Sequence, residues 1–505
     1  MAVTERETEG TEGKFELGVS RPPLDVADLP EPEEVFGVRH IGLKETFKFA
    51  VGPSLIALGV SIGSGEWLLG PLAIGAGGFR GLGIVVLVSI LFQTFYNREI
   101  ARFVTATGEV PVVGFGRVPP GFVFWVPFAL FAFYAAFILG GWAASAGQGL
   151  YALFTGEAAV STEEPVRLLG IALLVVVLLI TMAARKISRT LEIANWFIVV
   201  AILLFLLVVD LLIVPASKWV EGILGLVTPA LPPEGTDATI LGGLFGFAAM
   251  STGLNWYMMG HYRDKGYGMG HRVGYIAGLR GESKEVRQVG VTFPDDEKNA
   301  ALWKRWMRFL SIDMWGVFFT GALFGILLPT ILVSYLADLT GTKPTEANIP
   351  TYAAQQLQQT HGQFMFYLAL LIGTLILFST QLGIFEALVR NFVDAVTAMS
   401  PKLRDKVHGD PRRFYFPYMI FLVIVISVII HFALPGTLIL ASANMSNLGG
   451  MIFPFVLMYL NGKLPKAARP PAYTNFILVL FAIACSFFFI NFVADTFFGG
   501  PIVQF

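Results

Sequence analysis

The chain has 505 residues, of which 55% are hydrophobic and only 14% charged, with a formal net charge of −1. Soluble domains carry about 25% charged residues, so an ordinary soluble enzyme is excluded, and nothing in the charge points to a nucleic-acid partner. Cys485, the single cysteine, lies in an apolar run, so neither an intramolecular disulfide nor a cysteine–histidine zinc site is expected.

Residues 1–43 are polar, acidic and proline-containing, without the basic start and apolar core of a secretory signal. They read as a disordered or loosely attached cytoplasmic tail. Beyond them, stretches near 20 apolar residues recur, each long enough to cross about 30 Å of hydrocarbon. Helical spans are predicted at 44–78, 82–104, 120–154, 167–184, 193–214 and 239–262, then at 306–338, 363–396, 414–434, 437–460 and 473–494. Residues 497–505 form a C-terminal tail. The spans at 120–154, 306–338 and 363–396 exceed a perpendicular crossing and are expected to tilt or project.

Loop charges set the expected orientation. With the N-terminus in the cytoplasm, the connections at 185–189, 262–305, 402–413 and 463–469 fall inside, and all are rich in Lys or Arg. The opposite connections carry Glu157, Glu163, Glu164, Glu221, Glu234, Asp237, Asp338 and Glu346, with few cations. This positive-inside asymmetry predicts a multi-pass protein of the cell (inner) membrane whose C-terminus lies on the opposite side. The 262–305 loop reads as a solvated linker with a short amphipathic helix near Asp296–Trp306; a small gate or partner site is the alternative. Its glycines form no phosphate-binding motif.

Two spans are interrupted. Ser61-Ile62-Gly63-Ser64-Gly65-Glu66-Trp67 breaks the first, and Ser251-Thr252-Gly253-Leu254-Asn255 the sixth. Backbone groups freed in mid-bilayer cannot be satisfied by lipid, so each break must face protein or water. Paired interruptions in corresponding halves mark a transporter's binding site. Glu66, if ionised in lipid, would cost roughly 2.5–3.5 kcal/mol or more. It must face water, a cation or donors, or stay protonated; bonding to the amides of its own break is the structural alternative.

Gly63, Ser64, Gly65 and Trp67 surround Glu66, and Met250, Ser251, Thr252, Asn255 and Trp256 belong to the second break. Aromatic faces beside an amide suit a polar organic molecule, although each aromatic taken singly is an ordinary packing residue. Gln381, in a Ser-Thr-Gln run, and Asn444 and Asn447, ahead of Gly449-Gly450, are placed to line the same cavity. The glycines allow close helix packing. Glu386 and Arg390, spaced i,i+4, read as a structural or gating pair. Asp313 reads as a bond to a neighbouring helix, with a proton relay as the alternative.

The pattern resembles the natural-resistance-associated macrophage protein (Nramp) family over most of residues 45–460. Its carriers are Gly52-Pro53-Ser54-Leu55, Ile62-Gly63-Ser64-Gly65-Glu66, Ala248-Ala249-Met250-Ser251-Thr252 and Pro454-Phe455-Val456-Leu457. The resemblance implies an all-α membrane protein of LeuT-type fold. Two inverted five-helix repeats, 44–214 and 239–460, would have their first and sixth helices unwound, and 473–494 would be an eleventh helix. The departures matter. The family's first break reads Asp-Pro-Gly-Asn, and here Gly63, Ser64 and Glu66 replace the Asp, Pro and Asn. Its second reads Met-Pro-His, and here Met250 is kept while Ser251 and Thr252 replace the others. The third span carries no acid. One carboxylate and one thioether make a poor Mn²⁺ or Fe²⁺ site.

The expected function is therefore secondary transport by alternating access, coupled to H⁺ or Na⁺, with no catalytic residues and no cofactor. A small polar organic solute such as a sugar or amino acid is the favoured substrate. The alternative is a divalent cation, a hydrated Mg²⁺-like ion anchored by Glu66 and Met250. A second alternative is a non-transporting membrane sensor or scaffold. Membrane lipid and the substrate are the partners expected; the oligomeric state is left open.

Overall fold

The computed structural model describes residues 14–15, 23–50, 53–63, 65–157, 163–183, 187–273, 289–399 and 412–503. Strands β1 (Lys14–Phe15) and β2 (Leu24–Val26) and helix α1 (Pro32–Phe36) precede α2 (Leu43–Ala50) and α3 (Pro53–Ser61). A turn at Ile62–Gly63 and a π-helical stretch, Gly65–Leu69, lead into α4 (Gly70–Gly77). Then come α5 (Gly83–Thr107), α6 (Pro111–Phe115), α7 (Phe122–Phe137), α8 (Gly141–Thr155), α9 (Glu164–Ala183), α10 (Ile187–Ile213) and α11 (Ala216–Val227). The sixth span is α12 (Ala238–Phe247) and α13 (Leu254–Asp264). After β3 (Val291–Thr292), α14 (Glu297–Ser311) runs through a second π-helical stretch, Ile312–Phe319, into α15 (Thr320–Thr340). α16 (Ile349–His361), α17 (Gln363–Met399), α18 (Arg412–Ile429), α19 (Pro435–Gly462) and α20 (Ala472–Phe498) complete the chain.

Among the described residues, seven helices are long and apolar enough to cross a membrane, and Phe197–Ile213, Ala238–Phe247 and Phe414–Ile429 are shorter apolar helices. Burial follows lipid as the solvent. Leu212, Phe421 and Phe476 face outward, whereas Asn97, Asp313, Glu386 and Asn444 are buried inside. Helices satisfy their own backbone groups, which lets them stand in hydrocarbon. The protein is a multi-pass membrane protein. Its interior is built where α19 packs on α20, α12 and α7, α17 on α8, and α3 on α10 and α17.

Several expectations change. The third span is not one long helix: the chain turns at Ile138–Gly140, where Gly140 adopts φ +73°. The amphipathic helix near Asp296 is not separate but the first part of the seventh span, with the Asp296 carboxylate accepting from the Asn299 N–H at 2.7 Å. Two helices in the connections, α11 and α16, were not anticipated. The all-α description gains a small sheet, β2 lying antiparallel to β1 and parallel to β3.

The N-terminal tail also needs correction. Residues 23–36 are docked, not loose: Leu24 and Leu29 are buried, and the Trp306 indole donates to the Pro30 carbonyl at 2.9 Å. Apolar side chains that fill a ready-made surface order a segment that has no core of its own.

Candidate functional site

The two breaks meet. Gly65 is required by close approach, because a Cβ there would collide with the carbonyl of Phe247, the last residue of α12. Gly63 does the same against Thr380 of α17. On the other strand of the crossing, α12 ends at Phe247 and helix resumes at Leu254, so the second opening spans residues 248–253 and begins upstream of Ser251. Ala249 there has φ +75°, the one positive value at a non-glycine among the described residues. That conformation costs an L-residue about 1–2 kcal/mol and turns its carbonyl out of the helical ladder.

Glu66 is the second residue of the π-helical stretch and is fully buried. The Ser61 hydroxyl lies 2.7 Å from Glu66 Oε1, and the Gly63 N–H reaches Oε2 at 3.5 Å. The same hydroxyl contacts the Ala249 carbonyl. One hydroxyl carries one proton. With that proton on the Ala249 carbonyl, the contact to Glu66 is complete when the carboxyl group donates. Ser61 thus ties the carboxylate of the first break to the backbone of the second.

A small cavity, with room for little more than one water molecule, lies beside this knot. Ser61, Met250, Ser251 and Thr380 supply its polar and polarisable wall, and Phe137, Trp142 and Phe247 its apolar wall. It is far smaller than the roughly 300–1,000 Å³ pockets that enclose organic ligands. Ser61, Thr380 and the aromatics were not among the site residues expected from sequence, although Thr380 sits in the polar run that drew attention to Gln381.

The remaining candidates are held by the framework. Asn255 accepts from the Gly253 N–H at 3.0 Å and donates to Gln93 at 2.9 Å. The Trp256 indole donates to the Tyr96 hydroxyl at 2.9 Å. Gln381 accepts from the Ala143 N–H at 3.1 Å, at the start of α8. Asn444 donates to the carbonyls of Thr239 and Leu440, and Asn447 to that of Gly242. Thr252 packs on Gly449 and Gly450, and Trp67 lies against Gly373. Ser64 lies outside the described residues.

Other buried charges bind helices together. Arg390 pairs with Asp264 of α13 and lies 3.9 Å from Glu386, which accepts from the Tyr415 hydroxyl at 3.3 Å. Asp313 accepts from the Ser54 N–H at 3.2 Å and from the Tyr262 hydroxyl. Among the described residues, no three His, Cys, Asp or Glu side chains group as metal ligands.

No family model matches the sequence, and neither does any curated protein. Solved structures do match. The manganese transporter of Eremococcus coleocola, bound to an aromatic bis-isothiourea compound, superposes with a TM-score of 0.53 at 14% identity, covering 94% of this chain and 90% of that one. A glutamate-to-glutamine mutant of the same transporter gives 0.55 at the same identity and coverage. A histidine-to-alanine mutant gives 0.53. At this identity the likeness shows the fold: this chain has the fold of those transporters.

Proposed function

We propose that this protein is a secondary transporter working by alternating access, that its site lies where the first and sixth spans break, and that its cargo is a divalent cation carried with part of its hydration shell. The observation that carries this reading is the make-up of the cavity. With room for little more than one water molecule, it encloses no sugar or amino acid as it stands. Of the groups such a solute would need, Asn255, Trp256 and Asn447 are engaged by the framework, and Gln381 and Asn444 are each held through one end of the amide while Gln381 Nε2 and Asn444 Oδ1 stay unpartnered. The favoured organic solute is therefore set aside. What remains near the cavity is hard oxygen: the hydroxyls of Ser61 and Ser251, the Ala249 carbonyl and one carboxylate, Glu66. An Mg²⁺-class ion keeps several waters and needs only one or two carboxylates. The likeness to manganese transporters also supports a cation.

Met250 on the cavity wall supports a second reading, Mn²⁺ with a sulfur ligand, since a thioether favours softer ions. The loop charges support a cytoplasmic N-terminus, with the strap at residues 23–36 on the inner face and the C-terminus outside.

Uptake into proteoliposomes tests the proposal, with Mg²⁺, Mn²⁺, sugars and amino acids offered side by side. Saturable Mg²⁺ flux that survives Met250→Ala is expected, with weak Mn²⁺ binding. Flux of an organic solute without any cation flux overturns it. Tight Mn²⁺ binding abolished by Met250→Ala replaces it with the second reading.

A further inference from the structure

The N-terminal strap crosses the helices that a carrier must move. Its strand β2 pairs with β3, the Ala27 N–H donating to the Thr292 carbonyl at 2.9 Å. The Leu29 N–H donates to Asn299 at 2.8 Å, Asp28 pairs with Lys298 at 2.6 Å, and Glu33 pairs with Arg305. All of these partners but β3 belong to α14. The strap ends at Phe36, whose ring stacks on Phe49 of α2 with centroids 4.4 Å apart and planes 1° from parallel. The same ring meets the edges or tilted faces of Tyr267, Trp306 and Phe309, each at 5.7 Å.

Above this plug, the Tyr267 hydroxyl donates to the Phe49 carbonyl. One layer further in, Asp313 accepts from Ser54 of α3 and Tyr262 of α13. Next come the breaks themselves. The half-helices on the strap side of both breaks are thus pinned to the seventh span in successive layers, and the strap forms the outermost. Residues 37–42 alone separate α1 from α2, so an anchored strap is a short leash on the inner half of the first span.

We propose that residues 24–36 are a latch that holds the inner gate of this carrier shut, and that the latch must leave α14 before the site opens inward. This rests on the transporter reading above. Opening separates α2–α3 from α14, and no such separation is possible while Phe36 bridges Phe49 and Trp306.

The test uses the full chain in vesicles with a reporter thiol, Ser54→Cys, beneath the gate. Labelling of that position by an impermeant maleimide from the strap side is followed by peptide mass spectrometry. Phe36→Ala should speed labelling by about tenfold, the size expected for losing one partly buried aromatic stack with its apolar contacts. A second variant needs no loss of packing: Glu33→Cys with Arg305→Cys, bridged by a bis-methanethiosulfonate cross-linker that spans the reach of the native ion pair, should suppress labelling below the unmodified rate and slow uptake, with recovery of uptake on reduction. Unchanged labelling in both variants overturns the latch. Labelling that responds in a chain showing no solute flux overturns the transporter reading and leaves the latch standing.

Discussion

Ser61 and Ala249 lie 188 positions apart, and the hydroxyl of one meets the carbonyl of the other where the first and sixth spans both open. This contact joins the only carboxylate of the first break to the strained backbone of the second. Ser61→Ala removes a partner from both Glu66 Oε1 and the Ala249 carbonyl. A buried polar group left unsatisfied costs about 1–3 kcal/mol. The variant should melt at a clearly lower temperature in detergent and lose uptake. Ser61→Thr, which keeps the hydroxyl, should retain more of both.

Gly65 provides a steric test of the crossing. Gly65→Ala drives a methyl group into the Phe247 carbonyl, and overpacking of this kind costs about 1–3 kcal/mol. Gly316→Ala, where nothing lies within 4 Å, should leave the melting temperature nearly unchanged. Equal melting for the two variants would show that the first and sixth spans do not cross so closely.

The spans were legible because lipid demands long apolar runs, and the first break because Gly63, Gly65 and Glu66 interrupt one of them. The second opening was displaced by a few residues. Its turn is made by Ala249, and an alanine with φ +75° leaves no mark in a sequence. Side-chain allegiance was not legible either. Nothing in the order of residues says that Trp256 bonds to Tyr96 or Asn255 to Gln93, because those partners come from α5, some 160 positions away. The strap escaped notice for the same reason. Leu24, Leu29 and Phe36 show no periodicity of their own; the leucines are buried only in the fold, and Phe36 finds its place against Trp306 and Tyr267. α11 is short, and its apolar face makes sense once Gly222 and Gly225 are seen packed on Phe79.

The strap should respond to acid in one direction. Hydrogen bonds from Lys298 and Asn299 hold the Asp28 carboxyl below its ordinary value of 3.8. A carboxyl with a depressed folded-state value stabilises docking above the ordinary value, and that contribution is lost as pH falls through the depressed one. The opening equilibrium read from hydrogen exchange across residues 24–36, with the intrinsic pH dependence of the amide rates divided out, should therefore be flat from neutral pH down to about 4 and rise below it. Asp28→Asn should flatten the acid limb. A rise centred near neutral pH would assign the docking to another group.

Glu66 tests the proposed transport most directly. Its carboxyl group is the one ionisable side chain in the first break, fully buried and reached by Ser61 and Gly63. Glu66→Gln keeps the shape, retains an acceptor oxygen for the Gly63 N–H, and adds an N–H₂ that can donate to the Ser61 oxygen. Folding and melting temperature should therefore be preserved, and the removal of a mid-membrane carboxylate, an expensive group at that depth, is compatible with a slight gain. Transport should not survive. A hydrated divalent cation loses its only carboxylate anchor, and a coupling proton loses its carrier, so uptake should fall to background at every pH. Proteoliposome flux of the wild type and Glu66→Gln, measured at several pH values on protein of matched melting temperature, separates the roles. Equal rates with an unchanged pH profile would make Glu66 part of the framework that joins the two breaks, and the cation would then have to be held by Ser61, Ser251 and the Ala249 carbonyl alone.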